Sequence, residues 1–181
     1  MATTAAGTPY VESSDLVANY PGVSLALANH IDTIGKVLQV VRATDSTDRT
    51  TTSVPIVDAN LSVTITPSSV SSRILLIASY SILNSGASSA NFSSMTAIQI
   101  TTAGNTPISG AENAVVGVSS FNVLANDNQI HDMVTIIGQH QPATISATTY
   151  KVRFARYAGS GLSTLRNATN TAQLFAIEVA A

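Results

Sequence analysis

The sequence has no cysteine, no tryptophan and few charged residues. Without cysteine the chain can form neither disulfides nor thiolate metal sites, and its redox compartment is left open. Charged residues make up 10% of the 181 positions, against roughly 25% in an average soluble domain. The formal net charge of −2 gives no basic field that could attract phosphates, so we expect no nucleic-acid partner.

Long apolar runs are also missing. The most apolar run, Ile74–Leu83, is about half the length that a membrane-spanning helix needs. The first ten residues, MATTAAGTPY, lack the basic and apolar regions of a secretory signal. We therefore expect no membrane partner and a soluble protein that folds in a cytosol.

Hydroxyl side chains take the place of the missing charges. Serine and threonine supply about a quarter of the chain, and no charged residue occurs between Arg73 and Glu112. Such a surface is hydrated through hydroxyl and amide groups. Because apolar residues still make up 45%, the length and composition indicate one domain with a proper core, plus an appendage.

The appendage is the amino-terminal segment. Residues 1–22 show no sustained period but carry several apolar side chains, which predicts an extended arm that packs against something. Residues 23–34 predict a short helix ended by Gly35, in which Leu27, Ile31 and Ile34 lead on to Leu38 at helical spacing. A helix of about twelve residues is marginal alone, so it must pack either on its own β-domain or against identical helices of an oligomer.

After Gly35 the patterns are those of β-strands. In Asn60–Pro67, apolar Leu61, Val63 and Ile65 alternate with serine and threonine, which indicates one buried and one hydrated face. In 148–157, Tyr150, Val152 and Phe154 share one face, and Lys151 and Arg153 share the other. The predicted strands are 36–43, 50–56, 60–67, 73–82, 94–102, 115–124, 130–137, 148–157 and 173–179.

Nine short strands separated by turn-forming residues predict an antiparallel β-sandwich, and connections of this length favour a Greek-key jelly roll over simple hairpins. We therefore divide the chain into residues 1–35, the arm and helix, and residues 36–181, a jelly-roll head.

No catalytic grouping stands out. His131 and His140 lie near opposite ends of one predicted strand, roughly 30 Å apart, which is too far to share a metal ion. His30 lies on the predicted helix. The loop RATDSTDRT holds Asp45 and Asp48 with two arginines, and its charges are expected to pair with each other rather than with calcium. The segment NDNQIHD (126–132) is interpreted as an Asx-rich turn. We expect no enzyme activity, metal or cofactor.

Two stretches resemble bacteriophage virion proteins. PYVESSDLVANYPGVSLALANHID, from Pro9 to Asp32, resembles the amino-terminal attachment segment that precedes a fibre or decoration domain in such proteins. GKVLQVVRATDSTDRTTTS, NLSVTITPSSVSSRILLIAS and the final QLFAIEVAA resemble the small β-sandwich heads of phage fibres and related appendages.

The resemblance implies a non-enzymatic component of the virion, assembled in the host cytoplasm. It implies a homotrimer whose head has tumour-necrosis-factor-like (TNF-like) jelly-roll topology. The arm would bind capsid, portal–neck or tail proteins, and a host-surface glycan or receptor is a further implied partner of the head. By motif match, virion attachment falls to Tyr10, Val11, Asp15, Leu16, Tyr20 and Pro21. Oligomerisation falls to Leu25, Leu27, Ile31 and Ile34.

Other functions stay open alongside a short, host-contacting fibre. A capsid decoration protein that stabilises the shell fits the same segments. A carbohydrate-binding module is a third possibility, although sugar platforms use exposed aromatic side chains, and the five tyrosines and four phenylalanines here mostly fall on or beside aliphatic strand faces.

Overall fold

A computed structural model describes residues 2–3, 9–10, 20–33, 36–86, 92–112, 114–121, 128–159 and 161–180. It has one helix and twelve strands within these ranges. The elements are β1 (Ala2–Thr3), β2 (Pro9–Tyr10), α1 (Tyr20–Thr33), β3 (Val37–Asp45), β4 (Arg49–Thr51), β5 (Val57–Ile65), β6 (Arg73–Gly86), β7 (Phe92–Thr102), β8 (Ala114–Phe121), β9 (Asn128–His140), β10 (Thr148–Gly159), β11 (Leu162–Leu165) and β12 (Ala172–Val179).

The strands form two main antiparallel sheets. The four-stranded sheet has the order β5-β10-β7-β8. The six-stranded sheet has the order β3-β12-β6-β11-β4, and β9 also pairs with β6. Because β9 pairs with β6 along nearly its whole length, β12 and β11 lie end to end along the other edge of β6. A separate small sheet joins β1 and β2.

One hydrophobic core lies between the two sheets. Its side chains come from strands of both, including Leu61 of β5, Leu76 of β6, Ile100 of β7 and Phe154 of β10. The predicted alternation of β5 is confirmed, since Leu61, Val63 and Ile65 are buried and the residues between them are exposed. The mainly β, antiparallel sandwich expected from the sequence is confirmed.

The segment Thr106–Ala111 closes one side of this sandwich. The backbone N–H of Ile108 donates to Ile100 O of β7 at 2.9 Å, and the N–H of Gln139 of β9 donates to Ser109 O at 3.2 Å. Gly138 makes this approach possible, because a Cβ built on it would lie 2.8 Å from the Cβ of Ala111. The segment therefore bridges a strand of each sheet.

The helix begins three residues earlier than predicted, at Tyr20 rather than at residue 23. Pro21 fits the first turn, where a backbone N–H has no partner within the helix. Leu38, which continues the helical spacing in the sequence, belongs instead to β3. The helical spacing of apolar residues across Gly35 therefore arises by chance from two separate elements, and these residues do not form one stripe on a single helix.

Candidate assembly surfaces

The predicted attachment residues fall mostly in or next to the least described part of the chain. Val11, Asp15 and Leu16 lie outside the described residues, and so does Ile34 of the predicted oligomerisation set. Tyr10 belongs to β2, and Tyr20 and Pro21 form the start of α1. Their assigned roles stay predictions.

The helix presents part of its apolar surface to solvent. The side chain of Leu25 is 63% exposed, and that of Leu27 is half-buried. Ile31 lies in the last turns of the helix. Among the described elements, the principal neighbour of α1 is β2, and the helix has no comparable contact with either sheet of the head.

The outer surface of the six-stranded sheet carries a contiguous group of large apolar side chains. In one row across the strands, Val40, Ile177 and Leu75 are neighbours in register. In the adjacent row, Phe175, Ile77 and Ile137 are neighbours in the same way. We call this set of six the apolar face: Val40, Leu75, Ile77, Ile137, Phe175 and Ile177.

The apolar face is only partly covered within the single chain. Val40 is 56% exposed and Ile137 is 53% exposed, whereas the other four are half-buried. Its border on one side is a polar row formed by Thr44, Gln173, Ser79 and Thr135. The charged side chain in these rows is Arg42, whose guanidinium lies 5.7 Å from the ring centroid of Phe175. On the other side, the next row pairs Val179 with Arg73, which is exposed. The surface thus combines a large apolar area with one charged side chain in its rows and one at its edge.

The outer surface of the four-stranded sheet has the opposite character. Asp58 accepts a hydrogen bond from Lys151 Nζ and another from Arg153 Nε, each at 2.9 Å. The hydrogen bond from Lys151 is the main cause that lowers the pKa of Asp58 below its ordinary value. These side chains project away from the core, as the sequence predicted for Lys151 and Arg153.

An irregularity in β5 creates this cluster. Between Lys151 and Arg153 the pairing moves from Ser62 to Asp58, so residues 59–61 lie opposite a single residue of β10. Asn60, at the centre of the bulge, has a φ of 56°, which asparagine tolerates better than most residues. A shallow depression of about 290 Å³ lies beside it.

The charged loop after β3 is a structural network, as expected. Asp45 accepts a hydrogen bond from Arg49 Nε at 3.1 Å and another from Asn167 Nδ2 at 3.1 Å. Burial disfavours the ionised form, but the hydrogen bonds from Arg49, the Thr47 amide and Asn167 outweigh it and lower the pKa of Asp45. Asp48 accepts a hydrogen bond from the Ala168 N–H at 2.8 Å. The loop therefore ties β3 to the turn before β12.

Two of the three histidines lie on the same strand. His131 and His140 both lie on β9, as predicted. His140 Nδ1 lies 2.9 Å from Tyr150 Oη, and burial lowers the pKa of His140 and raises that of Tyr150 to about 12. Within the described ranges, no three histidine, aspartate or glutamate side chains are close enough to hold a metal ion. No helix in the same ranges is long and apolar enough to cross a membrane.

The apolar face was not predicted from the sequence, although a signal for it was present. A strand with one hydrated face should alternate, as β5 does. In contrast, β6 reads RILLIASYSILNSG and β12 reads AQLFAIEV, so aliphatic side chains occupy consecutive positions and must point to both sides of the sheet.

Comparisons with known proteins do not assign this chain to a family. No family model matches the sequence, and no curated protein matches it. A structure of infectious bursal disease virus, Gt strain, is similar at 12% identity, with 78% of this chain and 39% of that chain covered and a TM-score of 0.25. The VP2 subviral particle of that virus gives 12% identity, coverages of 78% and 41%, and a TM-score of 0.21. The chain spans about two fifths of the length of these proteins, and similarity at such TM-scores carries no argument about function.

Proposed function

We propose that this chain is a non-enzymatic structural protein of a virus particle, a homotrimeric bacteriophage appendage anchored by its amino-terminal segment and displaying the β-sandwich as a head. The observation that carries the proposal is the separation of the two parts. The helix has β2 as its principal described neighbour, it leaves Leu25 63% exposed, and it has no comparable contact with the sheets. A docking segment needs such an unsatisfied apolar surface.

The strand order supports a jelly-roll head. Along the chain, β3, β6, β9 and β12 belong to one sheet, and β5, β7, β8 and β10 belong to the other. Within each sheet an early strand lies beside a late one, as β3 lies beside β12 and β5 lies beside β10. This interleaving is what two Greek keys wound around one core produce. This strand order supports the jelly-roll topology that we propose for the head.

A non-catalytic role agrees with the side chains that the structure describes. The acidic residues with defined partners are engaged in ion pairs or backbone contacts, as Asp58 is with Lys151 and Arg153. A glycosidase would need two carboxyl groups facing each other across a cleft. Neither outer sheet surface presents such a pair among its described side chains.

Deletion of residues 1–34 tests the anchoring role. We expect the truncated head to keep its β-type circular dichroism and to be absent from purified particles. In the full-length chain, Leu25→Asp should reduce incorporation, whereas Ser24→Asp, at an exposed neighbouring position, should not. Unchanged incorporation of the truncated protein would rule out anchoring by this segment. Loss of adsorption to cells with intact particles would favour host contact, and shells that open at lower temperature would favour decoration.

A further inference from the structure

We propose that the apolar face is the surface through which heads of this chain pack against one another. The proposal rests on the proposed function in that it assigns an interface to the homotrimer. It adds a contact that the helix does not provide, because the apolar face belongs to the head itself.

The size of the exposed apolar area fits an interface between subunits. Leu38 continues the apolar face along β3, two residues from Val40, and is 39% exposed. Met133 of β9 is 64% exposed, but it lies on the far side of the polar row and is not counted here. Together the six side chains of the face and Leu38 leave on the order of 400 Å² of apolar area open, which is the size of the largest patches on ordinary monomers, and such patches are often functional. A standard interface buries about 800 Å² per partner, somewhat more than half of it apolar.

The charge distribution selects the occupant. A different protein with charged groups at its contact surface would need opposite charges on this face. The two central rows contain one charged side chain, Arg42, and its guanidinium already lies against the ring of Phe175. The acidic residue nearby, Glu178 of β12, is 1% exposed and faces the other side of the sheet. An identical copy offers the same aliphatic surface and brings no charge into these rows beyond its own Arg42, which lies against its own Phe175, so it is the occupant that this face matches.

The opposite sheet provides an internal comparison. Its outer surface carries the Asp58, Lys151 and Arg153 cluster and exposed serine and threonine on β5, which suit contact with water. The two sheets share one core and one charge-poor sequence, yet among the described strand side chains the large exposed aliphatic ones all belong to the six-stranded sheet. The head therefore has one surface suited to solvent and one suited to burial.

The apolar face is also continuous in sequence with the helix. Helix α1 ends at Thr33 and β3 begins at Val37, and β3 contributes Leu38 and Val40 to this surface. When two copies associate through their helices, their apolar faces are therefore also brought close to each other. Contact at one place lowers the entropic cost of contact at the other.

Charge substitutions in the full-length protein test the proposal. Val40→Glu and Ile137→Glu alter positions that are more than half exposed in the single chain, so folding should tolerate them. A glutamate buried between subunits would lie unpaired in an apolar contact. Matched controls are Ser62→Glu and Thr64→Glu, exposed positions on the outer side of β5. Sedimentation velocity and native mass spectrometry, from about 1 to about 100 µM, measure the oligomer.

We expect wild type and controls to give three copies of the 18.6 kDa chain and the double variant V40E/I137E to dissociate with at least about a 100-fold higher dissociation constant. Ile137→Thr keeps a β-branched side chain and serves if the glutamate variants fail to fold. A monomeric wild type, whether the face is free or covered by the arm, would overturn the proposal. So would face variants that associate like wild type.

Two outcomes separate this proposal from the function proposed above. A dimer that V40E/I137E dissociates would support the interface and contradict the homotrimer. An oligomer that needs the apolar face but never enters particles would support the interface and contradict the virion role.

Discussion

Replacement of Gly138 by alanine should destabilise the head by crowding the segment that closes it. A Cβ at this position would lie 2.8 Å from Ala111 Cβ, 3.0 Å from Ile108 Cγ2 and 3.0 Å from Ser109 O. Real Cβ atoms do not approach other carbon atoms so closely, so either β9 or the Thr106–Ala111 segment must move. Overpacking of this kind costs about 1–3 kcal/mol.

For a chain of this length each kcal/mol lowers Tm by about 2–4 °C, so we expect Gly138→Ala to melt about 2–12 °C below wild type by circular dichroism. Gly104→Ala is the matched control, because its Cβ would meet nothing closer than Thr102 Oγ1 at 3.8 Å. We expect its Tm to stay within about 2 °C of wild type.

The contact partner can be identified with a double-mutant cycle. Ala111→Gly removes the methyl group that lies closest to the new Cβ. We therefore expect the double variant to regain at least about 0.5 kcal/mol relative to the sum of the single changes. Equal melting of G138A and G104A, or strictly additive effects of G138A and A111G, would refute the close packing of this segment on β9.

Two further substitutions probe single residues. Glu178 is 1% exposed and accepts hydrogen bonds from Ser68 N and Ser68 Oγ, each at 2.7 Å. Burial disfavours the ionised carboxylate, but the hydrogen bonds outweigh this effect and lower the pKa of Glu178 below 4.5. Its ionised form therefore stabilises the fold above pH 4.5, and this contribution disappears as the pH falls through the lowered pKa. In urea titrations, Glu178→Gln should lose about 1–3 kcal/mol at pH 7 and show a shallower acid decline than wild type; an unchanged profile would contradict this. Ala143 has a φ of 52°, so Ala143→Gly should raise the free energy of unfolding by up to about 1 kcal/mol in the same urea titrations, and a decrease would count against backbone strain there.

The strands were predictable because their signals are local. All nine predicted strands occur, since alternating or continuous aliphatic runs between turn residues mark them directly. The strand predicted at 50–56 is shorter than expected and ends at Thr51. The chain turns after it, where the Ser53 hydroxyl donates a hydrogen bond to Pro55 O. Leu162–Leu165 was missed because four residues form a strand only through pairing with both β6 and β4.

Features that depend on distant partners could not be predicted in this way. The polar run from Asn128 to Asp132 reads as part of a turn, yet it forms the start of β9 because β6 extends far enough to pair with it. Asp58 gives no sign in the sequence that a bulge will place it beside two cations. Consecutive aliphatic residues in β6 indicate apolar side chains on both sides of the strand, but they do not indicate what covers its outer side.

The strand order decides when the polypeptide can fold during its synthesis. The sheet neighbour of β3 is β12, the last of the described strands along the chain, and every described partner of β6 is also made after it. Until then β6 is an unpaired aliphatic strand, followed by a stretch without a single charge up to Glu112 to discourage aggregation. Nascent chains of this protein therefore cannot complete the six-stranded sheet until β12 has been synthesised, and they need protection from aggregation until then.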